Sequence, residues 1–221
     1  KRPFVTRSRM SSGKGAMTAA LRVGRRGSPL ALAQTEEVLG RLRAVHPNLR
    51  TDTVVIRTHG DEAYREDLGT GLDGKRAFTK RIEEALLEGG IDFAVHSLKD
   101  LPTETVDGVT IAAIPPRGDP RDVLVGRDAM SPDDLGPGVR VGTSSLRRRA
   151  QLLSRWPGLE VKELHGNVGT RLRRLDSNDF DAIVVAAAGL HRLRVEDRRI
   201  HPLPPNIMTP APGQGALALE A

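Results

Sequence analysis

The sequence predicts an α/β protein of two domains, and three observations carry that prediction. From Leu21 onward, short β-like runs alternate with helical patterns, the order expected when helices cover a mostly parallel sheet. At 221 residues the chain exceeds a typical single domain of about 150 residues. The segment Pro115-Pro116-Arg117-Gly118-Asp119-Pro120 reads as a linker near the midpoint. The expected division is a basic flexible arm over residues 1–20, a first domain over 21–116 that regains 203–221, and a second domain over 117–202.

In the first half, residues 21–23 read as a strand. Ser28-Pro29 follows as an N-cap with proline at the first helical position, opening a helix that runs to about Val45. Val38, Leu42 and Val45 share one face of it, and His46-Pro47-Asn48 stops it. Residues 53–57 read as a second strand. A loop rich in Gly and Asp over 58–76 then precedes a helix over 78–88, which Gly89-Gly90 ends. Residues 91–95 form a third strand and deliver His96-Ser97-Leu98-Lys99-Asp100-Leu101-Pro102 into a loop at its carboxyl end, where open α/β sheets bind ligands. A strand over 109–114 completes this half.

The second half repeats the style without an internal sequence repeat. It holds a strand over 139–141, a helix opened by Thr143-Ser144-Ser145, a strand over 159–164, a helix over 167–175, a buried strand over 182–186 and a short helix closing near Leu193. Residues 202–212 are rich in proline. Gly213-Gln214-Gly215 then leads into the apolar run 216–219, placed to return to the first domain as a strand.

Composition removes several classes of function. Cysteine is absent, which excludes disulfide scaffolds, cysteine-based metal centres and thiol nucleophiles within these residues. The longest apolar stretch, 182–190, falls far short of the ~20 residues of a membrane span, so neither a membrane segment nor a membrane partner is expected. The net charge of +6 owes much to Lys1, Arg2, Arg7, Arg9 and Lys14; the remainder carries 29 basic against 28 acidic side chains. With scattered aromatics as well, no nucleic-acid partner is expected. The six histidines show no metal-ligand spacing, and no metal is expected. The arm lacks the apolar core of a secretory signal, and the expected location is cytoplasmic.

Two helix starts in the second half combine backbone donors, hydroxyls and guanidinium groups. Thr143, Ser144 and Ser145 stand beside Arg147, Arg148 and Arg149, and Gly166-Asn167-Val168-Gly169-Thr170 stands beside Arg171. Free N–H groups at a helix start attract anions, and guanidinium forks match carboxylates. A ligand with several anionic groups would suit such a pair; a solvated basic face is the alternative. Arg26-Gly27-Ser28 opens the first helix in the same style, with Lys75 as a further cation. Lys99-Asp100 supplies the acid/base candidate, since an ionised Asp near cations can stabilise positive charge developing on a substrate; a surface ion pair is the alternative.

Taken together, these motifs resemble the hydroxymethylbilane synthase, or porphobilinogen deaminase, family. The segments that carry the resemblance are Arg26-Gly27-Ser28-Pro29-Leu30-Ala31-Leu32-Ala33-Gln34, Ala94-Val95-His96-Ser97-Leu98-Lys99-Asp100-Leu101-Pro102, Asp119-Pro120-Arg121-Asp122 and Val141-Gly142-Thr143-Ser144-Ser145-Leu146-Arg147-Arg148. Gly166-Asn167-Val168-Gly169-Thr170-Arg171-Leu172, Ala187-Ala188-Gly189-Leu190 and Pro212-Gly213-Gln214-Gly215-Ala216 extend it in order to the last residue. The resemblance implies two domains like type II periplasmic binding proteins, with the active site in the cleft between them. It implies head-to-tail condensation of porphobilinogen with loss of ammonia, in tetrapyrrole biosynthesis. It makes Asp100 the catalytic carboxylate beside Lys99, and Arg26, Ser28, Lys75, Thr143, Ser145, Arg147, Arg148, Arg171 and Arg192 binding residues for the carboxylates of substrate, growing chain or cofactor. Gln214 receives no firm role.

The departures from the family pattern matter too. Family members carry a third domain whose cysteine holds a dipyrromethane primer; this chain stops where that domain would begin. No covalent cofactor is therefore expected, a non-covalently bound oligopyrrole being the alternative. His165, His59 and Asp73-Gly74-Lys75-Arg76 depart from the usual residues at their positions. Three expectations follow: an incomplete chain of an ordinary family enzyme, a two-domain paralogue that passes an activated pyrrole to a free acceptor, or a non-catalytic module that binds an anionic pyrrole. The oligomeric state is not legible.

Overall fold

A computed structural model describes residues 20–56, 72–104, 106–128, 130–196 and 198–221, with no account of the side chains of residues 72–78. Its first half begins with β1 (Leu21–Arg25), α1 (Pro29–Val45), β2 (Thr51–Val55), α2 (Leu72–Leu87), β3 (Phe93–Ser97) and β4 (Ile111–Ala113). The chain then builds β5 (Asp122–Gly126), β6 (Arg140–Gly142), α3 (Leu146–Arg155), β7 (Glu160–Lys162), α4 (Val168–Asp176), β8 (Ala182–Ala186), α5 (Ala187–Arg192) and β9 (Ile200–Leu203). Finally β10 (Leu217–Glu220) follows the proline-rich stretch.

The strands form two five-stranded sheets, ordered β2-β1-β3-β10-β4 and β7-β6-β8-β5-β9. In the first, β1 pairs in parallel with β2 and β3, while β10 runs antiparallel between β3 and β4. The second has the same plan: β6 is parallel to β7 and β8, and β5 is antiparallel to β8 and β9. In each sheet the antiparallel inner strand enters from a crossover out of the other sheet, so the chain passes between the sheets twice.

Alternation along the strands gives each sheet two apolar faces. Phe93 and Val95 on β3 pack with Val23 and Leu217 against Val38 and Leu39 of α1. Ala94, pointing the other way, packs with Ile91 against Ile82 of α2. In the second sheet, Val123, Val125, Ile183 and Val185 meet Leu172 and Leu175 of α4, whereas Leu124 and Val184 meet Leu152 of α3. Each sheet is a filled layer between helices.

Several boundaries differ from the sequence reading. Strand β1 reaches Arg25, and β2 starts at Thr51, two residues early, because Leu21 pairs with Thr51. Helix α2 starts at Leu72, so residues 72–76 are helical and not loop. One glycine, Gly74, costs a helix about 1 kcal/mol, which flanking Lys, Arg and Ala offset. Residues 58–71 of the expected loop lie outside the described residues. Strand β3 retains His96 and Ser97 and ends two residues later than expected. Val45 is 73% exposed, so the buried stripe of α1 ends short of it. Two strands go unannounced in the sequence reading: β5 and β9. Pro202 lies inside β9, which is tolerable because β9 is an edge strand.

Candidate functional site

Every candidate residue outside α2 follows the carboxyl end of a parallel strand or the helix next to it. Arg26 and Ser28 follow β1, the Leu98–Asp100 turn follows β3, Thr143 and Ser145 follow β6, Arg171 follows β7, and Arg192 closes the helix after β8. Parallel strands direct their successors to one edge of a sheet, and the crossovers bring the two edges together.

On the first sheet, the Ser28 hydroxyl accepts a hydrogen bond from the Ala31 amide at 3.1 Å, capping α1 as its position predicts. The buried Gln34 side chain donates to the Ser97 hydroxyl at 2.7 Å and braces the end of β3. Lys99 donates from Nζ to Oε1 of Gln214 at 3.3 Å. Burial pushes the Lys99 ammonium below the ordinary lysine value; Asp100 opposes that shift, and the charges of Arg148 and Arg171 reinforce it. Asp100 itself is exposed, and its carboxylate has no hydrogen-bond partner among the described residues.

On the second sheet, Ser145 caps α3 by accepting from the Arg148 amide at 3.4 Å, and the Thr143 hydroxyl accepts from the Ser145 amide at 3.2 Å. Two arginines of this helix turn inward, while Arg149 and Arg155 stay exposed. Arg148 donates to Asp122 Oδ1 from Nη2 at 2.7 Å and from Nε at 3.1 Å, and to the Val184 carbonyl at 2.9 Å. Arg147 donates to Asp122 Oδ2 at 2.6 Å and to the Thr209 carbonyl. Burial alone would raise the Asp122 pKa, but Arg148, Arg147 and Gln214 hold it below the usual carboxylate range. Burial pushes the Arg148 guanidinium down, yet Asp122 opposes the shift and the pair remains ionic.

Arg171 at the start of α4 donates from Nε to the Gly166 carbonyl at 2.7 Å, and its terminal nitrogens have no partner among the described residues. Asn167 caps that helix by accepting from the Thr170 amide at 2.9 Å. Arg192 spans the two halves: it donates to Glu37 of α1 at 2.7 Å and to the Gly215 carbonyl at 3.2 Å. His165 is exposed and lies 2.9 Å from Glu163. The Lys75 and Arg76 side chains, and His59, lie outside the described residues.

Asp122, Gln214 and Glu37 are the residues that sequence reasoning left without a role. Asp122 stood inside a quoted motif, and a carboxylate near so many arginines was the available signal. Gln214 joins Lys99 on one sheet to Asp122 on the other, accepting from the first and donating to the second at 2.9 Å. Nothing in the sequence spacing announces a contact across 115 residues.

A family model described as "Porphobilinogen deaminase, dipyromethane cofactor binding domain" matches residues 21–221. The chain belongs to the porphobilinogen deaminase family. A porphobilinogen deaminase of Acidithiobacillus ferrooxidans is 49% identical over 205 residues, covering 93% of this chain and 67% of that protein. One from Thermus thermophilus is 51% identical over 198 residues, covering 90% of this chain and 64% of the relative. The chain therefore spans about two thirds of the length of the curated relatives it matches.

Solved structures agree on the fold. A double mutant of the Bordetella pertussis BvgS VFT2 domain superposes with a TM-score of 0.50 at 14% identity, covering 91% of this chain and 80% of that one. A full-length BenM variant gives 0.50 at 15% identity, covering 94% and 62%. The architecture is that of type II periplasmic-binding-protein-like domains, two α/β halves on either side of a cleft. No described helix is long and apolar enough to cross a membrane.

The family description names a dipyrromethane cofactor, a group whose carboxylates suit guanidinium forks and capped helix starts. Of the expected donor set, the Thr143 and Ser145 hydroxyls and Arg171 fit those carboxylates, whereas Arg147 and Arg148 are engaged by Asp122 and support the helix start instead. Residues 1–221 contain no thiol that could anchor the group through sulfur.

Proposed function

We propose that the chain binds porphobilinogen in the cleft between its two sheets and drives loss of ammonia from it as the first half of a head-to-tail condensation. The observation that carries this reading is that an exposed carboxylate, Asp100, and a partly open cation, Arg171, both lie close enough to Lys99 to act on its charge. Porphobilinogen has the complementary charges: an aminomethyl group, cationic at neutral pH, and two carboxylates. Membership of the porphobilinogen deaminase family supports the substrate.

In this reading, Arg171, Arg26 and the α3 start hold the carboxylates, with Lys75, Ser28, Thr143 and Ser145 completing the cradle. Asp100 accepts the ammonium end. Breaking the C–N bond expels ammonia and leaves a cationic methylene pyrrole, whose charge the Asp100 carboxylate stabilises without reorganisation. Attack by the free α-carbon of an acceptor pyrrole forms the C–C bond, and the proton lost from that carbon restores aromaticity. A dipyrromethane, when bound, supplies such an acceptor carbon. Lys99, beside Asp100, gives anionic groups a further donor. Arg147 and Arg148 act from their ion pairs with Asp122, holding the helix start at the cleft. Arg192 joins the two halves through Glu37 and Gly215.

The same reading assigns residues 21–116 with 203–221 to one domain and 117–202 to the other, hinged at the two crossovers. The second boundary moves past Met208, because Leu203 of β9 pairs with Asp122 of β5 and Met208 packs in the second sheet's core. Calorimetry with porphobilinogen tests the binding part. Arg171→Ala weakens binding by about 1.5–3 kcal/mol, the loss of a charge-assisted hydrogen bond. An unchanged dissociation constant moves the anion site elsewhere.

A further inference from the structure

Gln214 is fully buried, on the second crossover, and all its polar groups are engaged inside the protein. Its amide donates to the Ala211 carbonyl at 3.0 Å, and its own carbonyl accepts from Arg117 Nε at 2.7 Å. Side-chain Nε2 donates to the Pro120 carbonyl at 2.7 Å and to Asp122 Oδ1 at 2.9 Å, while Oε1 accepts from Lys99 at 3.3 Å. Arg117 and Pro120 belong to the first crossover, Asp122 opens β5 of the second sheet, and Lys99 follows β3 of the first. One carboxamide therefore touches both crossovers and one charged group from each side of the cleft.

The backbone around it leaves little freedom. Gly213 and Gly215 both have positive φ, +70° and +87°. A Cβ on Gly215 would lie 2.6 Å from the Gly118 carbonyl oxygen, so only glycine lets the crossovers run this close. The Gly118 amide donates to the Gly215 carbonyl at 3.1 Å, and the Leu98 amide donates to the Ala216 carbonyl at 3.0 Å.

We propose that Gln214 is a positioning residue that pins the two crossovers side by side and fixes the Lys99-Asp100 turn relative to the Asp122-Arg147-Arg148 cluster. A carboxamide suits the task because it accepts toward a cation at one end and donates toward a carboxylate at the other. A carboxylate in its place repels Asp122. An apolar side chain leaves Lys99, Asp122 and the Pro120 carbonyl each short of a partner. The effect on ligand binding rests on the function proposed above for Lys99 and Asp100; the pinning itself is a property of the chain alone.

The absence of cysteine permits a direct test, with spin labels on Glu88→Cys beyond α2 and Ser177→Cys beyond α4, both exposed. Without ligand, Gln214→Leu is expected to broaden the inter-label distance distribution roughly two-fold, as a released hinge samples more states. Gln214→Glu keeps the shape and the acceptor toward Lys99 but, ionised at about pH 8, loses the donors to Asp122 and the Pro120 carbonyl, so it is expected to broaden the distribution as well. A parent-like width in Gln214→Leu overturns the proposal. So does a parent-like width in Gln214→Glu at about pH 8, the deciding result if the leucine variant fails to fold. Porphobilinogen calorimetry on the parent is read separately, and its failure counts against the proposed substrate while leaving the distance result intact.

Discussion

Asp122 receives four hydrogen bonds, from Arg147, Arg148 and Gln214, and none of its surface reaches solvent. Removing one partner of such a group strands charge in the interior, a loss of about 3–5 kcal/mol. Asp122→Ala is accordingly expected to lower unfolding stability by that amount in urea titrations, and an effect below about 1 kcal/mol contradicts the buried-pair description. Asp100 presents the opposite case. Its exposed carboxylate makes no described hydrogen bond and acts only on the charge of Lys99, so Asp100→Ala changes the melting temperature little, keeps porphobilinogen affinity within a few fold and abolishes ammonia release. The sequence exposed this asymmetry only in part. A Lys-Asp pair after a strand and a run of arginines after a Thr-Ser-Ser start were legible as charged groups at strand ends. Which arginines turn inward depends on where Asp122 lies in the fold, and local spacing does not carry that.

At the scale of elements, the Ser28-Pro29 cap and the Thr143-Ser144-Ser145 helix opening were the most legible features, while Asn167, read as the first helical residue, is the cap before it. Ser28 with Pro29, Ser145 and Asn167 each cap the helix they precede, because a short polar side chain can reach the free amides of a first turn. Ser145→Ala is expected to cost about 1 kcal/mol by thermal denaturation, with α3 fraying at the cleft. Edge strands were less legible. Proline and exposed polar residues are compatible with an edge, so β9 reads as loop until its pairing with β5 is seen. At the second crossover, Gly215→Ala combines a positive φ with a backbone clash and is expected to destabilise the protein by about 1–3 kcal/mol. A neutral result would mean that the crossovers are not in contact in solution.

Across the whole molecule, the two sheets share one strand plan, although the sequence shows no internal repeat. The plan places comparable strand ends on both sides of the cleft, and Arg192-Glu37 and the Gln214 contacts bridge them. Acid stability tests that electrostatic frame as a whole. Asp122, Asp119 and Asp92 are held below the usual carboxylate range, and Arg140 draws Asp181 down to about 2. A carboxylate depressed in the folded state contributes stability above its unfolded pKa and loses it as pH falls through the folded value. Stability should therefore decline from about pH 4 downward, and Asp181→Asn should flatten the part of that decline between about pH 4 and 2. The central claim, that this cleft activates an aminomethyl pyrrole through Asp100, meets its most direct test in one assay. Purified protein and its Asp100→Ala variant are mixed with porphobilinogen, and ammonia, soluble pyrrole products and intact protein mass are followed together. The account predicts ammonia release by the parent and none above background by the variant. Equal release by both proteins, or none by a parent that binds porphobilinogen, would contradict it.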